Sequence, residues 1–219
     1  MVNLYFVRHG KTEWNLQSRY QGAGGDSPLL AESYVEMTQL ANNLAAIKFE
    51  HAYASPIKRA RITAQTIIDQ LDQTIPLSLL SRLEEFDLGQ MEGMLFSEVA
   101  EKFPAEFDNF RNHPEQYDPH RTIGGESFPE LIARMTPAIN QIVTAASPDA
   151  NVLIVSHGAA LNAEINYLLN VPLADLRKRG GLANTSTTVL KAENPDHFEL
   201  VKWNDTSYLK RKLTDSDTI

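Results

Sequence analysis

Apolar residues along this chain fall into two recurring patterns, short unbroken runs and longer stretches with helical spacing. The run Val152-Leu153-Ile154-Val155 is continuous rather than alternating, as expected of a strand buried on both faces. It lies within Asn151–Ser156, and Asn3–Arg8 and His51–Ser55 read as strands of the same kind. Ile75–Leu80, Thr187–Ala192 and His197–Trp203 are weaker strand candidates. Helical spacing marks Glu32–Ala46, through Val35, Met37, Leu40, Ala41, Leu44 and Ala45. It also marks Ile57–Leu71, which starts after Pro56, and Phe128–Ala146 and Ala159–Leu169. Ser97–Asn112 predicts one or two short helices broken at Pro104, and Glu115–Gly125 predicts a loop. Lys210–Ile219 reads as a frayed tail. Strand alternating with helix predicts an α/β fold with a mainly parallel sheet and helices on its faces. In such sheets ligands collect outside the carboxyl ends of the strands.

Composition narrows the chemistry. At 219 residues, 42% hydrophobic and 22% charged, the chain reads as one soluble domain spanning 1–219. It contains no cysteine, which excludes disulfides, thiolate nucleophiles and cysteine-ligated metal clusters and fits a reducing cytoplasm. Arg8 interrupts the first apolar run, so a signal peptide is not expected, and no segment approaches the ~20 apolar residues of a membrane span. A net charge of −8 disfavours nucleic acid and acidic membranes as partners. An anionic ligand would need positive charge gathered locally.

Such charge stands at the strand ends. Val7-Arg8-His9-Gly10 is echoed by Val155-Ser156-His157-Gly158, each with a histidine before a glycine where an apolar strand stops. A third strand ends in Ala54-Ser55-Pro56 and leads into a helix carrying Arg59 and Arg61. Two residues apart on a helix point about 200° away from each other, so only one of these arginines is expected to face the pocket. One histidine at a strand end is an ordinary rim residue; two in the same frame beside arginines point to a site. His51, His113, His120 and His197 lack that context. A metal fits poorly, because Arg8 would repel a cation and no His-x-x-x-His occurs. Phosphate fits well, since arginine presents paired donors that match its oxygens.

Arg8-His9-Gly10-x-Thr12-x-Trp14-Asn15, Gln21-Gly22 and Ser55-Pro56-x-x-Arg59-Ala60-x-x-Thr63-Ala64 together resemble the histidine phosphatase superfamily. So do Glu85-x-x-x-Gly89-x-x-Glu92-Gly93, Gly124-Gly125-Glu126-Ser127 and Ser156-His157-Gly158. The branch is that of the cofactor-dependent phosphoglycerate mutases and their phosphatase relatives. The resemblance implies a three-layer α/β/α fold with a small helical cap inserted around 90–127. It implies that His9 is the nucleophile, with a neutral ring whose other nitrogen donates to an acceptor such as the Gly10 carbonyl. Arg8, Arg59 and His157 would hold the phosphoryl oxygens, His157 working best in the protonated form that the phosphate dianion should favour. Glu85 would donate the proton to the leaving group, which calls for a raised pKa; its neighbour Glu84 is the rival. Asn15, Gln21, Gly22 and Gly158 would line the phosphate or substrate site, with Glu126 and Ser127 near the substrate. Ser127 also reads as a helix N-cap, with Glu130 at the capping-box position. No metal or cofactor is implied.

Departures from the family pattern bear on the substrate. Lys11 stands where relatives often carry Glu or Gln, which predicts a more basic pocket rim. Leu30 and Ser33 replace the usual Thr and Gly, and Lys58 replaces an apolar residue. The glycolytic mutases follow their acidic residue with Arg-His-Tyr, whereas this chain continues Glu85-Phe86-Asp87-Leu88-Gly89. The segment Phe103–Gly125 is short, apolar and partly acidic, which suits a monophosphate better than a bisphosphoglycerate. The expectation is a phosphomonoesterase for a small phosphorylated metabolite. A phosphoglycerate mutase is the alternative, a phosphate-binding module with little turnover the third, and a homodimer is allowed.

Overall fold

The computed structural model describes residues 1–218. In chain order its elements are β1 (Val2–Arg8), α1 (Glu13–Leu16), α2 (Ala31–Leu44), β2 (Phe49–Ala54), α3 (Lys58–Gln70), β3 (Leu77–Leu79), α4 (Phe96–Lys102), α5 (Pro104–Asn112), α6 (Phe128–Ala145), β4 (Asn151–Ser156), α7 (Gly158–Leu168), β5 (Thr187–Asn194) and β6 (His197–Asp205). The strands form one six-stranded sheet in the order β3-β2-β4-β1-β5-β6. The first four are mutually parallel, while β5 and β6 run antiparallel to their neighbours.

Register explains why three distant motifs meet. β4 lies between β1 and β2, with Ser156 opposite Arg8 and Val155 opposite both Val7 and Ala54. The residues that follow, His9, Ser55 and His157, therefore leave the sheet at one level. Side chains alternate across the sheet: Leu4, Phe6, Val152 and Ile154 pack with Leu131, Met135 and Ile139 of α6 and Leu161 and Ile165 of α7. Val7, Leu153 and Val155 pack on the other face, with Met37 and Leu40 of α2 and Ala64 and Ile67 of α3. This is the three-layer arrangement.

The cap is α4 and α5, divided at Pro104, the first residue of α5. Phe110 anchors it, 1% exposed, with ring centroids 5.3 Å from Phe86, 5.1 Å from Tyr117 and 5.6 Å from Phe128. Burying that ring contributes roughly 1.5–3 kcal/mol. The expected loop Glu115–Gly125 contains a short 3-10 turn at Pro119–Arg121. The single-turn α1 was not expected; Thr12 and Asn15 create it through a reciprocal capping box.

The tail departs from expectation. Instead of fraying, Arg211 to Thr218 lies against the body of the protein, with Asp217 0% exposed and an isolated bridge between Ala183 and Thr218. Its anchors are ion pairs to Lys11 and, through Arg211, to Glu36. Such long-range partners leave no trace in a polar sequence without periodicity. Ile219 lies outside the described residues. Among them, no helix is long and apolar enough to cross a membrane.

Candidate active site

His9 leaves β1 with its backbone N–H bonded to the Ser156 carbonyl at 3.0 Å. Its Nδ1 lies 2.7 Å from the Gly10 carbonyl oxygen. A carbonyl only accepts, so Nδ1 carries the hydrogen and the neutral ring keeps its lone pair on Nε2. Arg59 Nε donates to that Nε2 at 3.3 Å. Burial, and then the charges of Arg59 and Arg8, push the His9 pKa well below its ordinary value. The imidazole is thus neutral and oriented, with its lone pair toward the guanidinium side.

Arg59 enters from the first turn of α3, and Arg61 is exposed on the opposite face. Arg59 is held by the loop after α1: Nη1 donates to Gly25 O at 2.7 Å and to Asp26 at 3.3 Å, and Nη2 to Gly22 O at 3.0 Å. The Gln21 amide joins them, its carbonyl accepting from Arg59 at 3.1 and 3.0 Å and its NH2 donating to Thr12 and Ser27. Asn15 Oδ1 is occupied by Thr12 and Asn184, so Asn15 braces the loop. Glu92 braces it from below, accepting from Gly22 N at 2.9 Å and Gly24 N at 3.1 Å. Burial raises the Glu92 pKa against those hydrogen bonds.

Arg8 is 1% exposed. Its Nη1 donates to Leu182 O at 2.6 Å and Asp217 O at 2.8 Å, whereas Nε and Nη2 are buried without a partner. Burial lowers its pKa to about 10. Gly158 is needed beside it, because a Cβ there would stand 2.8 Å from Arg8 Nε. His157, the N-cap of α7, bonds Ser55 Oγ through Nε2 at 2.8 Å, and its Nδ1 is buried and unpartnered. The two imidazole centroids are 5.2 Å apart. Burial, Arg59 and His9 push the His157 pKa well below the ordinary value. These surroundings favour the neutral ring, and the protonated form expected beside a phosphate dianion needs that dianion's charge.

Glu85 and Glu84 part ways in the structure. Glu85 is buried at the start of α7, accepting from Ala160 N at 2.7 Å, Ala159 N at 3.0 Å and its neighbour Phe86 N at 3.0 Å. Glu84 is half-buried on the wall of a cavity of about 360 Å³ that Ala23, Glu85, Asp87, Glu126 and Arg134 also line. A larger cavity of about 690 Å³, between α6 and α7, contains none of these groups.

Several expectations are corrected. Lys11 does not make the rim basic: its ammonium is turned back onto Asp217 at 3.0 Å. The Ser33 hydroxyl donates to the Lys11 carbonyl at 2.7 Å, so this departure shapes the loop. Glu126 is paired in a fork with Arg134 at 2.6 and 2.8 Å, and Arg134 also donates to the carbonyls of Arg82, Glu84 and Glu85. The pair buttresses the Glu85 segment. Ser127 caps α6 in a capping box with Glu130. Arg111 of the cap stacks between Phe96 (4.6 Å) and Phe107 (4.7 Å), and Arg177, from outside the cap, stacks over Phe110 (5.3 Å). Each of these guanidiniums keeps one buried, unpartnered nitrogen. Sequence reasoning missed Arg134, Arg177 and Asn184, which lie outside every motif; Ser55 was visible in its motif but had no role assigned.

Buried donors without partners on Arg8, beside a neutral histidine with a directed lone pair, can receive an oxyanion and attack its central atom. Among the described residues, no three His, Cys, Asp or Glu side chains cluster as metal ligands. The family model of the histidine phosphatase superfamily (branch 1) matches residues 4–206. Phosphoserine phosphatase 1 of Hydrogenobacter thermophilus is 31% identical, over 95% of each chain. "Probable phosphoglycerate mutase GpmB" of Cronobacter sakazakii is 32% identical, covering 85% of this chain and 83% of its own. The solved structure of Bacillus stearothermophilus YhfR superimposes with a TM-score of 0.86 at 31% identity, covering 95% of this chain and 99% of its own.

Proposed function

This chain belongs to the histidine phosphatase superfamily, and from that premise we propose that it is a metal-independent phosphomonoesterase acting on a small phosphorylated metabolite. The observation that carries the reading is the tautomer of His9, with Nδ1 bonded to Gly10 O and the Nε2 lone pair met by Arg59 Nε at 3.3 Å, a contact that an incoming phosphoryl group would take over. In the first step the Nε2 lone pair bonds to phosphorus, the P–O bond to the leaving group breaks, and protonated Glu85 gives that oxygen its proton. In the second, Glu85 takes a proton from water, whose oxygen bonds to phosphorus as the P–N bond breaks. Arg8, through its unpartnered Nε and Nη2, Arg59, which exchanges its hold on His9 for an oxygen, and His157 hold the three phosphoryl oxygens throughout.

Labelling with a phosphorylated substrate, quenched in alkaline denaturant where the P–N bond survives, should leave phosphate on His9, and His9→Ala should lose hydrolysis. Full turnover of an aryl phosphate by His9→Ala would sink the mechanism. A mutase reading draws support from Arg111 and Arg177, whose spare donors would suit a second anionic group. Interconversion of the two phosphoglycerates, stimulated by bisphosphoglycerate, would favour it. A protein that binds phosphate yet turns over no aryl phosphate would be a binding module.

A further inference from the structure

Resting on the reading of Arg8 as a phosphoryl-binding group, we propose that the C-terminal segment Arg211–Thr218 is a positioning strap for Arg8, latched by Lys11 and Asp217. Arg8 Nη1 spans two carbonyls, one of which, Asp217 O at 2.8 Å, belongs to the strap. Pinning Nη1 fixes the plane of the guanidinium and leaves the Nε and Nη2 donors, which no protein group uses. The same Asp217 carbonyl accepts from Asn184 N at 2.9 Å, and Asn184 Nδ2 donates to His9 O at 3.1 Å. One carbonyl at the chain's end thereby ties together the backbone of His9 and the side chain of Arg8.

What holds that carbonyl is charge. The Asp217 carboxylate accepts from Lys11 Nζ at 3.0 Å, from Arg211 at 2.7 and 2.7 Å, and from Thr214 N at 2.6 Å. Burial alone would raise its pKa, but these donors outweigh it and hold the carboxyl well below its usual range. Arg211 also pairs with buried Glu36, which accepts from Thr185 Oγ1. Thr185 N in turn donates to Arg8 O at 3.1 Å, and Thr185 holds a left-handed φ of 58° that a β-branched residue rarely adopts. The network is balanced, Lys11 and Arg211 against Glu36 and Asp217. Removing Asp217 leaves the Lys11 ammonium buried without its carboxylate, two residues from His9. Lys11, one of the residues that depart from the family pattern, is thus the strap's near half.

The test is titration of inorganic phosphate by calorimetry into the full-length protein, Asp217→Asn, Lys11→Met, and a chain ending at Lys210. Each is made with Arg8 intact and as Arg8→Ala, and unfolding midpoints show which variants fold. We expect Asp217→Asn to bind phosphate about tenfold more weakly, the scale of one charge-assisted hydrogen bond, and Lys11→Met to follow in the same direction. In the Arg8→Ala background neither should weaken binding further. Folded Asp217→Asn that binds phosphate like the parent overturns the strap, as does an equal loss in both backgrounds, which would mark general loosening. A parent protein that binds phosphate without hydrolysing esters refutes the phosphatase reading and leaves the strap standing. One that binds no phosphate refutes both.

Discussion

Gly22→Ala should disable the site while its close neighbour Gly24→Ala should not. At position 22 an added methyl would overlap the Phe86 carbonyl oxygen and Glu92 Oε1 and stand 2.8 Å from Leu88 Cγ, inside the 3.0 Å that Cβ atoms essentially never breach. At position 24 the nearest atom is Glu92 Oε1 at 3.6 Å, an ordinary contact. Neither glycine needs a left-handed φ, so packing alone separates the two variants. The Phe86 carbonyl is backbone and sits next to Glu85, so it cannot simply swing aside. The 21–26 loop must lift instead, carrying the Gly22 carbonyl that receives Arg59 Nη2 at 3.0 Å. A shift on the order of 1 Å in a group that aligns reactants costs about 10²-fold in rate. Overpacking adds roughly 1–3 kcal/mol of destabilisation. The assay is kcat/KM for an aryl phosphate together with the urea midpoint. Gly22→Ala should lose about 10²-fold in kcat/KM and unfold at lower urea; Gly24→Ala should stay within about twofold. Equal activities would refute the reasoning that Gly22 is fixed by the close approach of Phe86 and Glu92.

Glu164, 0% exposed under Thr136, has its pKa raised by burial to about 8, from 4.5. A carboxyl raised on folding keeps its proton in the native state while the unfolded chain ionises, so its stability contribution is present below 4.5 and is lost as pH rises through about 8. At about 1.4 kcal/mol per pH unit the window amounts to several kcal/mol; Glu164→Gln should flatten the fall in urea midpoint between pH 5 and 8, and an unchanged slope would exclude Glu164 as its source. His157, pushed down by burial and by Arg59, should show a neutral ring in side-chain 15N NMR at pH 6.5 and take up a proton when inorganic phosphate binds. A charged His157 in the phosphate-free protein would contradict the depressed pKa.

What the sequence disclosed follows from how each feature is encoded. The four long helices were legible because burial against a sheet imposes a period that repeats over many residues, and the central strands because burial on both faces makes their apolar runs continuous. The meeting of His9, Arg8, Arg59 and His157 was legible for a related reason: parallel strands share an end, and a residue just past that end has little freedom in where it goes. The short α1 was missed because one turn carries no period, only the cap formed by Thr12 and Asn15. Arg134, Asn184 and Arg177 were missed because each acts at long range from an unremarkable local setting. Arg134 reaches back about fifty residues to the carbonyls of Arg82 and Glu84.

Lys11 and the tail show the same limit more sharply. Read locally, a lysine two residues after His9 belongs to the rim, and a polar terminus such as Lys210–Ile219 belongs to solvent. Each reading is sound for a charge considered alone, because a lone buried charge is costly. Paired, the two conclusions reverse together: Lys11 is 7% exposed and Asp217 0% because each supplies what makes the other's burial tolerable. Composition cannot register that exchange, since both residues count toward the exposed charged fraction until their partners are known. The same logic runs through the site in the opposite sense. Arg8 is buried with donors to spare, its pKa lowered to about 10, and no carboxylate of its own to accept from them. Its burial becomes fully compensated only when an anion arrives. A chain with net charge −8 thus keeps Arg8, with donors to spare, where the strands end, and the buried charges of Lys11, Asp217 and Glu36 go into holding that place still.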